Sequence, residues 1–290
     1  MSTSTEIGLW SGSITYDPAF GNTYTVNFGA TDSDGTAWSL VSWTGLEGAP
    51  TAGGVVQRAG DHGAYAPPQF YAARPITLII RAAAQTQALR DVARATMSGA
   101  IPISDMASLV FNEPIPKFMA VRRSGELHGS YLTVNDVEFN VGLIAPDPRK
   151  YSVTLNSVQA VQGPPSAGLA FPFAFPVAFP SGAPPMSVTA TNAGSFETRP
   201  TVVIQGPVTA PRVQNMVTGQ TVGYTGLTLG ALDTLTIDFM NRVATLNGAY
   251  RPADANSAWW VMPPGSTGVQ LLGTPTSGSS ITVYWRDAWI

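Results

Sequence analysis

Residues Thr234 to Phe239 read Thr-Leu-Thr-Ile-Asp-Phe. Apolar and polar positions alternate, so an extended chain points Leu235, Ile237 and Phe239 to one side and Thr236 and Asp238 to the other. The same character runs outward in both directions. Met186–Asn192, Thr201–Gln205, Arg212–Met216, Val243–Leu246, Ala258–Met262, Val269–Leu272 and Ile281–Trp285 read as further strands. Turn pairs Asn247-Gly248, Pro264-Gly265 and Ser277-Gly278 punctuate them. Short strands at this spacing, with no helical periodicity between them, predict a β-sandwich or jelly roll over residues 186–290.

The first half is also mainly β. Tyr24–Phe28 and Trp38–Trp43 flank Asp32-Ser33-Asp34-Gly35, which reads as a hairpin turn. A long Gly-, Ala- and Pro-rich loop runs from about Glu47 to Pro68. Loops of that length in compact domains are functional or interfacial. Ile76–Arg81 is the next strand. One helix follows, over about Ala83 to Ser98, with Leu89, Val92, Ala93 and Met97 on its apolar face and Gly99 and Pro102 ending it. Strands near Ala107–Phe111, Lys117–Arg123 and Val134–Leu143 lead to a corner at Pro146-Asp-Pro-Arg-Lys-Tyr151.

Between the halves, Ala170 to Pro180 repeat Ala-Phe-Pro every four residues. Proline at that frequency excludes a helix and removes the donors of a central strand. An extended chain then places Phe171, Phe173, Phe175, Val177 and Phe179 along one side. Such a ribbon is either a docking strap on a domain of its own or a neighbouring subunit, or an apolar loop over its own core. These readings divide the chain into an N-terminal domain (1–157), a Phe/Pro-rich linker (158–185) and a C-terminal sandwich (186–290).

Composition narrows the function classes. Of 290 residues only 11% are charged, against 44% hydrophobic, and Gly (29) and Pro (24) are abundant. That suits a turn-rich β protein that covers surface within itself or between subunits. With 15 scattered basic residues and a net charge of −3, nucleic-acid binding is not expected. Passage of nucleic acid through a non-binding channel is compatible with that charge. No cysteine is present, so thiolate metal sites and thiol nucleophiles are excluded. The N-terminus lacks the pattern of a signal peptide, and no run is long enough to span a bilayer, so synthesis in a cytoplasm without membrane insertion is expected.

Catalytic patterns are weak. Gly-x-Ser-x-Gly, a Walker loop and Gly-x-Gly-x-x-Gly are all missing. Asp61-His62-Gly63 and His128 read as polar loop residues, and Asp32-x-Asp34-Gly35 as a turn: an EF-hand would place Gly and Glu where Ala37 and Trp43 stand. Glu47, Glu113, Glu126, Asp233 and Asp238 offer carboxylates for glycoside hydrolysis, but nothing pairs two of them. Trp259, Trp260, Trp285 and Trp289 offer a sugar-stacking platform. No catalytic residue, metal or cofactor is expected.

An ordered set of short motifs carries a resemblance. It comprises Asn192-Ala-Gly194, Arg199-Pro200, Val203-Ile-Gln-Gly-Pro207, Asn215 with Thr218-Gly219, Leu235-Thr-Ile-Asp238, Leu246-Asn-Gly248, Trp259-Trp260 with Pro263-Pro-Gly265, and Tyr284-Trp-Arg-Asp-Ala-Trp289. In this order it resembles the C-terminal domain of siphophage distal tail proteins, a siphovirus-type tail component. Leu46-Glu-Gly48, Asp61-His-Gly63 and Pro146–Ser152 fit the N-terminal part more loosely. The resemblance implies an N-terminal β-sandwich or split barrel of tail-tube type with one α-helix, and a galectin-like C-terminal sandwich. It further implies a non-enzymatic virion protein at the tail tip. Six copies would form a ring joining the tail tube, or its terminal protein, to the tail hub, with DNA transiting the lumen. The rival classes are a carbohydrate-binding module for host-surface glycans and a glycoside hydrolase.

Overall fold

The computed structural model describes residues 11–19, 22–163 and 186–290. Phe171, Phe173, Phe175, Val177 and Phe179 lie outside them. The chain divides between Val153 and Thr154 into two compact units, both mainly β.

The first unit holds β1 (Gly12–Tyr16), β2 (Tyr24–Phe28), β3 (Ala30–Thr31), β4 (Ala37–Thr44), the short β5 (Thr51–Ala52), β6 (Val56–Gln57), β7 (Ala64–Tyr65) and β8 (Phe70–Tyr71), then β9 (Arg74–Ala83). Helix α1 (Gln87–Ala100) follows, then β10 (Ala107–Phe111), β11 (Lys117–Arg123), β12 (His128–Tyr131), β13 (Asp136–Ala145) and β14 (Lys150–Ser152). The sheet runs β2-β1-β10-β11-β13-β9-β4-β3, every pair antiparallel. Strands β2 and β3 stand at opposite ends of this order, yet only Gly29 separates them in the chain. The sheet therefore curls round and closes as a barrel. Gly29 makes the step: its φ of 80° is one that side chains disfavour, and its N–H donates to Trp38 O at 2.9 Å.

Alternation fixes which face is inside. Ile76, Leu78, Ile80 and Ala82 of β9 and Val137, Phe139, Val141, Leu143 and Ala145 of β13 are buried against Ile14, Val26, Phe28 and Trp38. Helix α1 packs on β1 and β2. Thr86 caps it, its hydroxyl accepting from Leu89 N–H.

The helix starts later than the expected Ala83, because Arg74–Ala83 continues as strand and Thr86 supplies the cap. Its inner face is Ala93, Met97 and Ala100 rather than one that includes Val92, which is 53% exposed. Gly99 lies within the helix, not past its end: a Cβ there would meet the Tyr24 ring at 2.6 Å, so the missing side chain lets the helix approach β2. The Asp32–Gly35 turn joins β3 to β4, while Tyr24–Phe28 pairs with β1.

The second unit is a two-sheet sandwich. One sheet runs β15 (Asn156–Val161), β25 (Ser280–Trp285), β17 (Thr201–Gln205), β21 (Thr234–Asp238), β22 (Val243–Leu246), β23 (Ala249–Tyr250). The other runs β16 (Met186–Asn192), β24 (Gly265–Pro275), β18 (Val208–Asn215), β19 (Thr221–Gly223), with β20 (Thr228–Leu229) on β18. Both sheets feed one core: Val202, Ile204, Leu235, Ile237, Ile281 and Val283 face Met186, Val188, Val213, Val269 and Leu271. Leu235, Ile237 and Phe239 are buried, as their alternation predicts. Strand β15 takes in Val158–Val161, which the sequence reading places in the linker. Ala258–Met262 forms no strand; apart from a single bridge from Met262 to Thr198 it runs as irregular chain that buries Trp260. Among the described residues no helix is long and apolar enough to cross a membrane.

Candidate assembly surfaces

The long Glu47–Pro68 loop is an arm built from two small ladders. Thr51 and Ala52 pair with Tyr71 and Phe70, and farther out Val56 and Gln57 pair with Tyr65 and Ala64. Arg58 N–H donates to Gly63 O at 3.1 Å near the tip, and the Arg58 guanidinium lies 5.1 Å from the centre of the Tyr65 ring. The arm bears Val55, Val56, Tyr65 and Phe70 at 58–73% exposure. A two-stranded ribbon with its apolar side chains in water is marginal by itself. Exposed apolar surface of this kind is what assembly contacts cover.

The arm's base is rigid. Arg74 has no solvent exposure. Its Nε donates to Pro148 O at 3.0 Å, and its Nη1 donates to Gly45 O at 3.2 Å and Leu46 O at 2.9 Å. Burial pushes this guanidinium below its ordinary pKa, and the Glu47 carboxylate works the other way. Trp43 Nε1 donates to Glu47 at 3.1 Å, and Ala72 N–H donates to Pro50 O at 2.7 Å, drawing the ends of the arm together. Nothing in the sequence singles out Arg74, because a surface arginine at a strand start reads the same.

In the second unit two buried asparagines organise the short motifs around them. Asn192, 1% exposed, gives its Nδ2 to Phe196 O at 2.7 Å, while its Oδ1 accepts from Gly194 N–H at 3.0 Å and Ala288 N–H at 3.3 Å. Gly194 must be glycine: a Cβ would stand 1.9 Å from Ala288 O. Asn215, fully buried, gives its Nδ2 to Val261 O, and its Oδ1 accepts from Val217 and Thr218 N–H. Each asparagine ends its strand, and its side chain satisfies backbone groups of the chain that meets it there.

The candidate chemical residues are spoken for or apart. Asp61 accepts from the His62 backbone rather than its ring, on the exposed arm. His128 is exposed on β12. Asp32 accepts from the Trp38 indole at 2.7 Å and Asp34 from Thr36 N–H, so both build the turn. Glu113 pairs with Lys117 and with Lys150 at 3.5 Å. Burial works to raise this carboxyl, but the two lysines outweigh it and hold it below the usual carboxylate range. Asp233 accepts from Gly230 N–H and Asn247 Nδ2, and Asp238 from Met240 and Asn241 N–H. Glu126 lines an open hollow with Arg94 and Arg123, without a second carboxylate. Among the described residues no group of three or more His, Asp or Glu is placed to hold a metal. Of the four tryptophans, Trp260 and Trp285 are buried in the core, Trp289 is half-buried in the short strand Ala288–Trp289, and Trp259 lines a pocket with Arg242, Tyr250 and Arg251. Residues this far apart in kind gave no sequence signal beyond the Asn247-Gly248 turn that presents Tyr250.

Residues 193–289 match the model of the siphovirus-type tail component, C-terminal domain. This second unit resembles a phage tail component. The match opens directly after Asn192 and takes in Gly194, Asn215 and the Trp259-Trp260 pair. Solved structures agree at the level of fold. A crystal structure of the SPP1 Dit protein, described as a paradigm of the hub adsorption apparatus in phages infecting Gram-positive bacteria, is similar with a TM-score of 0.60 at 14% identity, over 87% of this chain and 94% of that one. A chain of the phage P2 baseplate in its activated conformation with Ca gives 0.54 at 8% identity, over 95% and 97%. The same baseplate with Sr gives 0.53 at 9%, over 96% and 98%. No curated protein matches the chain in sequence. The tail-component likeness therefore runs through both units in fold, and through the second in sequence.

Proposed function

We propose that this chain is a distal tail protein: a structural, non-enzymatic part of a siphovirus tail tip. The observation that carries the reading is the family match over residues 193–289. The fold likeness to SPP1 Dit, over nearly the whole of both chains, supports it. In this reading the barrel unit forms a ring of six copies, and the second unit is a galectin-like sandwich at its periphery. The tail tube or its terminal protein lies on one side and the tail hub on the other. A ring needs a heterologous contact whose rotation closes; the exposed arm and the Phe171–Phe179 strap are apolar material for it. A net charge of −3 per copy suits DNA that passes through the lumen without sticking.

Electron microscopy of the purified chain, alone and with its tail-hub partner, tests the reading. Rings with six-fold symmetry, and labelled chain at the tip of intact tails, are expected. A chain that stays monomeric with its partners and is missing from purified virions overturns it.

A further inference from the structure

A pocket beside Trp259 opens in the second unit. Its volume is about 240 Å³, and Arg242, Tyr250, Arg251, Asp254, Ser257 and Trp259 line it. Tyr250 comes from β23 and is 71% exposed. Trp259 is half-buried and set edge-on against Phe239, with ring centres 5.5 Å apart, so its orientation is fixed. The Nε of Arg251 is buried yet has no hydrogen-bond partner. Among the described residues neither Arg242 nor Arg251 makes an ion pair.

The acidic wall is held in place. Asp254 Oδ2 accepts from Thr225 N–H at 2.9 Å, and the Asp254 backbone N–H donates to Gly223 O at 2.9 Å. Ser257 Oγ accepts from Gly223 N–H at 3.1 Å. Two guanidiniums against one carboxylate leave the pocket net positive on a chain whose formal charge is −3.

Guanidiniums recognise phosphate or carboxylate oxygens with paired donors. Aromatic rings cover the apolar face of a sugar, and Asp254 and Ser257 offer partners for hydroxyls. We propose that this pocket binds an anionic saccharide, one ring bearing a phosphate or carboxylate, with Arg242 and Arg251 on the charge and Tyr250 and Trp259 against the ring. The volume lies below the roughly 300–1,000 Å³ of pockets for drug-sized ligands, which suits one sugar unit. The hollow at Arg94 and Arg123 has no ring among its lining residues and meets only half of this description.

Calorimetric titration of the full chain with glucose 6-phosphate, glucuronate, glucose and inorganic phosphate tests the site. Saturable millimolar binding of at least one anionic sugar is expected, and the stronger of glucose 6-phosphate and glucuronate identifies the charged group. Glucose and inorganic phosphate should each bind at least tenfold more weakly. Arg242→Glu and Tyr250→Ala change exposed side chains, so both should melt like the parent and lose binding at least tenfold. No saturable binding of either anionic sugar, phosphate binding as tightly as glucose 6-phosphate, or unchanged binding in folded variants would each overturn the proposal. Ring assembly plays no part in the titration, so its result stands apart from the tail reading.

Discussion

Arg74 is a cation that water cannot reach, and it persists because three backbone oxygens meet it. Removing it strands those carbonyls in the interior. Arg74→Met should lower stability by about 3 kcal/mol, the scale for breaking a buried hydrogen-bond set, read by urea denaturation. Glu113 acts through its two lysines instead. Its folded pKa lies below its unfolded value of about 4.3, so the stability it contributes is present above that pH and is lost as pH falls through the depressed value. Glu113→Gln should therefore melt below the parent at pH 7 by about 1 kcal/mol, with the two curves converging as pH drops below 4. Melting curves from pH 2.5 to 7 check it.

At the scale of elements, the arm contributes no residue to the core of the first unit. Its ladder positions are exposed or half-buried and its ends are already drawn together at Pro50 and Ala72. Replacing residues 51–71 with a short Gly-Ser connection should leave the melting temperature within a few degrees, since loop length costs little, yet abolish ring assembly in native mass spectrometry. Loss of the fold would show the arm to be structural instead. The strands were legible where alternation was strong: Thr234–Asp238 and Lys117–Arg123 appear where their pattern places them. His128–Tyr131 and Asn156–Val161 were not, because His-Gly-Ser-Tyr and Asn-Ser-Val-Gln-Ala-Val carry little apolar periodicity and gain their structure from β13 and β25 beside them. Val92 fits the helical period but lies just outside the narrow face that the sheet covers. Trp259 and Trp260 look equivalent in sequence; only the irregular path of the chain sends one to the core and its neighbour to the pocket.

For the whole molecule, the short motifs around Asn192 and Asn215 carried the resemblance, and in the structure their side chains hold backbone groups where β16 and β18 end. Arm and pocket were less visible, since exposure and unpaired cations arise only once the chain is folded. The Phe171–Phe179 strap is proposed here as an assembly contact. Changing Phe171, Phe173, Phe175 and Phe179 to Ser removes side chains worth roughly 1.5–3 kcal/mol each if buried. Loosened rings or a lower melting temperature are expected, by native mass spectrometry and calorimetry; unchanged assembly and melting would retire the strap as a contact.

Strand β25 lies between β15 and β17, and β15 opens the second unit while β25 comes near its close. During translation β1 to β14 have all been made once Ser152 has emerged, whereas the sandwich waits for Trp285 to leave the ribosome. A product cut short before Ser280 would thus carry β1 to β14 but a sandwich lacking a middle strand. Such a copy would leave β15 and β17 with the strand between them missing and both ladders to it unmade.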